Sequence, residues 1–254
     1  MSIFRAYLYK LLHDPLFYIG IFGTALLCVC RQIPKNASLC RDVAMEINVL
    51  LDISTLRKMI AIFGALPFAA NFADEWTNHV TIGCVSRRGV KEYAVSNAVM
   101  CFISSLVTVF SGMMLFAGVQ SFFKPVFIDS GNPMNILSET LLRGGAPWVY
   151  ITYRVFVFAA SCAMWSVMGM TLTSFFPNKY VGLCSPFVAS YILERFSMQL
   201  PPNFNLWYVS LSNLSWENVW GQFFYSVGLF AALAAVCGLV FVIMVKRRVQ
   251  NEVA

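Results

Sequence analysis

The sequence predicts an all-α, polytopic membrane protein with about six transmembrane helices and an amino-terminal interfacial helix. Of its 254 residues, 59% are hydrophobic and 12% charged, about half the charged fraction of an ordinary water-soluble chain. Mean hydropathy is +0.69. Apolar stretches recur along the chain between polar or Pro/Gly-rich breaks. Six crossings of about 20 residues consume roughly 120 residues and leave enough for connectors, so residues 1–254 read as one transmembrane domain.

The first element, residues 1–14, carries Ile3, Phe4, Tyr7, Leu8, Leu11 and Leu12 at three-to-four residue spacing beside Arg5 and Lys10. That pattern suits a helix lying in a membrane interface with its basic groups in water. Pro15 interrupts it, and residues 16–30 form the first crossing, uncleaved because no small-x-small site follows cleanly. Residues 31–58 read as an external connector with a short helix near 43–56. The second crossing covers about 59–72, bent at Pro67. Residues 74–93 are the most polar compact interruption, and 94–119 form the clearest crossing up to that point.

Residues 120–148 contain Pro125, Gly131, Pro133, Gly144, Gly145 and Pro147, an external connector broken by turns with one short helix near 136–142. The fourth crossing spans about 149–176. Pro177, Asn178 and Lys179 turn the chain into the fifth, about 180–196, bent at Pro186. Pro201 and Pro202 open a connector whose Trp207, Tyr208, Trp216 and Trp220 suit an interfacial belt. The last crossing, about 222–245, ends at Lys246-Arg247-Arg248. Six crossings put both termini on one side. The cluster Arg87, Arg88 and Lys91 and the terminal basic triplet make that side cytoplasmic, with the protein multi-pass in the cell membrane.

The net charge of +6 therefore reads as a topology signal rather than a nucleic-acid surface, since the basic groups are dispersed or adjoin apolar segments. Cys28, Cys101, Cys162 and Cys237 sit inside apolar runs as small hydrophobes. No CxxC pair occurs, and Cys30 with Cys40 is the one outer pairing to consider. Asn36-Ala37-Ser38 and Asn213-Leu214-Ser215 are glycosylation sequons only in a eukaryotic secretory setting. Arg154, Glu194 and Arg195 lie in or near apolar stretches, where a charge must be paired, hydrated or near an interface. They are candidates for a translocation path or gate, with interfacial snorkelling the simpler reading for Arg154.

The run Asp74-Glu75-Trp76-Thr77-Asn78-His79, followed by Val80 to Gly89, starts acidic and ends basic, which complements a helix dipole. A solvated connector is the plain reading of it. The region also resembles the cytoplasmic coupling element in permease subunits of type-2 ATP-binding-cassette exporters, in which an acidic residue precedes a small turn and a serine-arginine segment. The matching residues are Glu75, Thr81-Ile82-Gly83, Ser86-Arg87 and Tyr93. The chain departs from the pattern at Val85, where a proline is common, and at Asn97, in place of a lysine.

The resemblance implies an ATP-driven exporter permease handling a peptide antibiotic, a hydrophobic compound or a lipid-linked molecule, as in antimicrobial peptide resistance. It assigns coupling to Glu75, Arg87 and Arg88. It further implies a separate P-loop ATPase subunit, two copies, holding ATP and Mg, and a second permease subunit, identical or homologous. Membrane lipid surrounds such an assembly. This chain lacks GxxxxGK[ST], so no cofactor and no catalysis are expected of it. His79 lacks a nucleophile to serve. A non-transporting membrane sensor or assembly protein is the alternative. An intramembrane enzyme has less support, for no HExxH, paired membrane aspartates or serine triad is present.

Overall fold

The computed structural model describes residues 3–31, 41–128, 139–212, 214 and 218–253. The chain folds as α1 (Ile3–His13), α2 (Pro15–Cys30), α3 (Val43–Asp52), α4 (Ser54–Ala65), α5 (Asn71–Thr77), α6 (Val80–Arg88), α7 (Val90–Gln120), α8 (Glu139–Arg143), α9 (Pro147–Phe175), α10 (Lys179–Ser197), α11 (Leu206–Ser210) and α12 (Val219–Val253). Short polar side chains set where several of them begin. Asp14 accepts the Leu16 N–H at 2.9 Å, with Pro15 at the first helical position. Asp42 accepts the Met45 N–H at 2.7 Å. Asn178 and Asn218 do the same for Tyr180 and Trp220, at 2.9 and 3.0 Å. Each satisfies an amide that the first helical turn leaves unpaired.

The all-α expectation holds for the described residues, but the six crossings do not. Among the described residues three helices are long and apolar enough to cross a membrane: Val90–Gln120, Pro147–Thr173 and Val219–Asn251. The count rises to 4 if Arg5–His13 and Pro15–Cys30, bent by 60°, form one broken span. The expected crossing at 59–72 is two helices. Pro67 has no N–H to continue the ladder, so α4 stops at Ala65 and α5 starts at Asn71 after a turn. The 12 residues of α4 reach only about 18 Å, against roughly 30 Å of hydrocarbon. The expected crossing at 180–196 is one helix, α10, long enough at 19 residues but too polar, with Lys179 at its start and Glu194 and Arg195 near its end. The multi-pass cell-membrane topology with six crossings and both termini cytoplasmic is thereby overturned.

Packing centres on α9, buried over 83% of its apolar window and set against α4, α7, α10 and α12. Close approach is made at small residues. A side chain on Gly112 would meet the Ile21 carbonyl of α2 at 2.7 Å, and one on Gly169 of α9 would meet the Gly182 carbonyl of α10 at 2.8 Å. Ser105 of α7 and Ser166 of α9 share a hydrogen bond of 2.8 Å. One apolar core gathers Phe72, Trp165, Phe230 and Phe241; the other gathers Ile47, Ile60, Phe116 and Phe158.

The segments expected as outer connectors are partly folded onto each other. Val43 and Ala44 donate backbone N–H groups to Pro125 and Val126 at 3.2 and 3.1 Å. Asp42 accepts the Ile128 N–H at 3.0 Å. Lys124 pairs with Glu46 at 3.4 Å, and Tyr150 donates to Asn48 at 2.7 Å. Of the short helix expected near 136–142, α8 covers Glu139–Arg143, and residues 136–138 lie outside the described residues. Cys40, the 36–38 sequon, residues 129–138 with Gly131 and Pro133, Asn213, Ser215 and Trp216 lie outside the described residues.

Candidate functional site

Two buried polar clusters and an apolar groove beside α12 are chemically distinctive parts of the bundle. Glu75, on α5, is the hub of the first cluster. Its Oε2 accepts Tyr93 Oη at 2.7 Å and Tyr7 Oη at 3.1 Å, and its Oε1 accepts Asn71 Nδ2 at 3.0 Å. Lys10 Nζ stands 3.5 Å from Oε1. Asn97 donates to Tyr7 Oη at 3.0 Å and receives Asn71 Nδ2 at 3.0 Å, closing the ring. Four donors from α1, α5 and α7 thus reach one carboxylate, with Asn97 bracing two of them, which is how a buried charge is tolerated. Burial and the facing Glu75 charge push the Tyr7 and Tyr93 phenols well above their ordinary value, so both stay protonated donors.

The second cluster joins helices far apart in sequence. Arg57 of α4 pairs with Glu194 of α10 at 3.1 Å and donates to Ser210 Oγ of α11 at 2.7 Å. Lys58 Nζ is 3.6 Å from the other Glu194 oxygen, an ion pair longer than a hydrogen bond. The cations also stack: Arg57 lies 4.2 Å from the Trp207 ring centroid and Lys58 4.2 Å from that of Tyr191. The Arg57 and Glu194 side chains are 3% and 6% exposed. Arg57 Nε and Nη1 find no hydrogen-bond partner. Burial pushes the guanidinium below its ordinary value, and Glu194 opposes that shift.

The residues singled out from sequence fall in different places. Glu75 is buried and its bonds are made within the chain, whereas Arg87 is exposed on α6. The Arg88 side chain lies outside the described residues. Glu194 is buried while its neighbour Arg195 is exposed, with Nη1 3.9 Å from Met198 Sδ. Arg154 is 1% exposed inside the bundle, so it does not snorkel to a boundary. Sequence reasoning missed Arg57, Lys58, Tyr7, Lys10 and Asn71. A signal was available for the first two: a cationic pair opening an apolar helix demands a partner. Among the described residues no group of three or more His, Cys, Asp or Glu is placed to hold a metal ion.

The groove runs between α7 and α12, floored by Val167 of α9, with a volume of about 390 Å³. Val95, Ala98, Val99 and Phe102 form one wall; Ala235, Gly238, Leu239 and Val242 are on the other. Outside it α12 keeps an apolar surface: Phe224, Val236 and Ile243 are all more than half exposed. The size falls in the range of sites for small organic ligands, roughly 300–1,000 Å³.

No protein family, no characterised protein and no solved structure matches the chain. The resemblance to type-2 exporter permeases is therefore corrected. It rested on a six-helix count that is three or at most 4 among the described residues. The assignment as an exporter permease, with its cargo of peptide antibiotics or lipid-linked molecules, falls with it, as does the sensor alternative framed on the same multi-pass topology.

Proposed function

We propose that this chain acts by binding, taking the hydrocarbon part of a lipid into the groove between α7 and α12. The supporting observation is the groove itself: about 390 Å³, lined throughout by apolar side chains and continuous with the exposed apolar face of α12. Contiguous exposed apolar surface of this kind marks a site of interaction, and each methylene moved out of water contributes about 0.8 kcal/mol. The two polar clusters serve the site indirectly. The Glu75 ring holds α7, one wall, to α1 and α5, the Arg57–Glu194 pair joins α4 to α10, and Thr171 Oγ1 of α9 donates to the Cys237 carbonyl of α12, the other wall, at 3.1 Å. This reading asks for no bond-making chemistry and no cofactor.

The test is native mass spectrometry of the chain purified in a mild non-ionic detergent. Lipid is expected to travel with the protein. Ala235→Phe, at an exposed groove position, fills the cavity and is expected to remove at least nine-tenths of that lipid while the helix content is unchanged. Val99→Trp fills it from the opposite wall and is expected to do the same. Equal lipid retention in both variants, or none in the parent protein, would refute the reading.

A further inference from the structure

The groove has one charged end, and that end selects among lipids. An added Cβ on Gly238 would lie 3.4 Å from the Ala98 Cβ, which fixes the antiparallel register of α7 and α12. Three residues back along α7 and four on along α12, Val95 stands opposite Val242, and both line the groove. A further turn places Lys91 opposite Lys246, each continuing the groove-lining stripe of its own helix, since positions four apart share a face. Both lysines are exposed. Neither joins an ion pair among the described residues. Arg247 is also exposed but lies about 100° around α12 from Lys246, off the groove face. The one acidic neighbour on α7 is Glu92, exposed, displaced about 100° around the helix from Lys91, and engaged in an interaction of its own. The other end of the groove is apolar, running past Phe102 and Ala231 to Leu106 and Val227.

From this one-sided charge we infer that the ligand is a lipid with an anionic headgroup. Its acyl chain lies along Ala98, Ala235 and Gly238, and its phosphate lies between the ammonium groups of Lys91 and Lys246. The inference rests on the groove's binding hydrocarbon. A long lysine stem follows apolar surface while the ammonium stays in water, so the two side chains form a collar at the mouth without entering it. A basic residue near an anionic lipid surface favours the anion about 5-fold, or about 30-fold for two at low ionic strength. Because both groups are exposed, salt screens that preference.

The experiment uses the full chain, delipidated in detergent and titrated with phosphatidylglycerol and phosphatidylcholine of identical acyl chains. Phosphatidylglycerol is expected to bind about 30-fold more tightly at low salt and by a smaller factor at high salt. Lys91→Gln with Lys246→Gln is expected to bring the two lipids to near equality without weakening phosphatidylcholine, and Lys91→Arg with Lys246→Arg to keep the preference. If the parent protein binds both lipids equally, or if the glutamine variant keeps its preference, the headgroup inference is wrong and the groove reading stands. If neither lipid binds the parent protein, or if Ala235→Phe binds both as well as the parent does, the groove reading itself fails.

Discussion

Replacing Glu194 by Gln removes the single carboxylate that Arg57 and Lys58 share, at 3.1 and 3.6 Å. The amide is nearly isosteric, so packing is preserved and the change is electrostatic. Arg57 is already short of partners at Nε and Nη1, and a neutral amide oxygen would leave its charge without a counterion beside Ser210 and the Trp207 ring. Leaving a buried cation uncompensated costs about 3–5 kcal/mol. In a chain of this length that lowers the melting temperature by about 6–20 °C, taking roughly 2–4 °C per kcal/mol. The decisive comparison is the triple variant Arg57→Met, Lys58→Met, Glu194→Leu, which removes all three charges and fills similar volume. It is expected to be less destabilised than Glu194→Gln alone, because desolvation of the ions disappears with their attraction. Thermal unfolding followed by far-ultraviolet circular dichroism reads both. A Glu194→Gln shift below about 3 °C would mean that water reaches the pair, and the account of a dry ionic clamp between α4 and α10 would be wrong.

Two further predictions follow from the packing and the Glu75 ring. Tyr7 and Tyr93 are held protonated by burial and by Glu75, so their folded-state values lie above the unfolded value of about 10. Their contribution to stability is complete below about pH 10. It falls above that by up to about 1.4 kcal/mol per pH unit per tyrosine, as the unfolded chain releases protons that the folded one keeps. Urea midpoints between pH 9 and pH 11 are expected to drop in the parent protein and to drop less in Tyr7→Phe with Tyr93→Phe; equal slopes would refute the assignment. Gly169→Leu meets the Gly182 backbone and Pro186 at the α9–α10 contact and is expected to cost about 1–3 kcal/mol by overpacking. Gly118→Ala, with nothing within 4 Å of its added Cβ, is expected to stabilise α7 by up to about 1 kcal/mol; the reverse ranking in thermal melts would disprove the packing description.

What the sequence determined by itself is the helical class and the three long apolar helices. In α7, α9 and α12 the hydropathy of one uninterrupted run is enough, because helix hydrogen bonds are local and the run is longer than any break. Pro15 and Pro67 were legible as breaks for the same reason: a missing N–H acts at its own position. Glu75 was legible as unusual. Its role was not, because the groups that bind it come from positions 68 and 18 residues away, at Tyr7 and Tyr93. The Arg57–Glu194 pair spans 137 residues, and no window along the chain contains both ends. Hydropathy takes no account of a partner, so α10 read as a crossing from its apolar middle with Glu194 as a charge near its outer end, and nothing along the chain pointed to Arg57 and Lys58 of α4. The groove and its lysine collar are likewise tertiary facts. Val95 and Val242, or Lys91 and Lys246, become neighbours only when the contact of Ala98 with Gly238 sets one helix against the other.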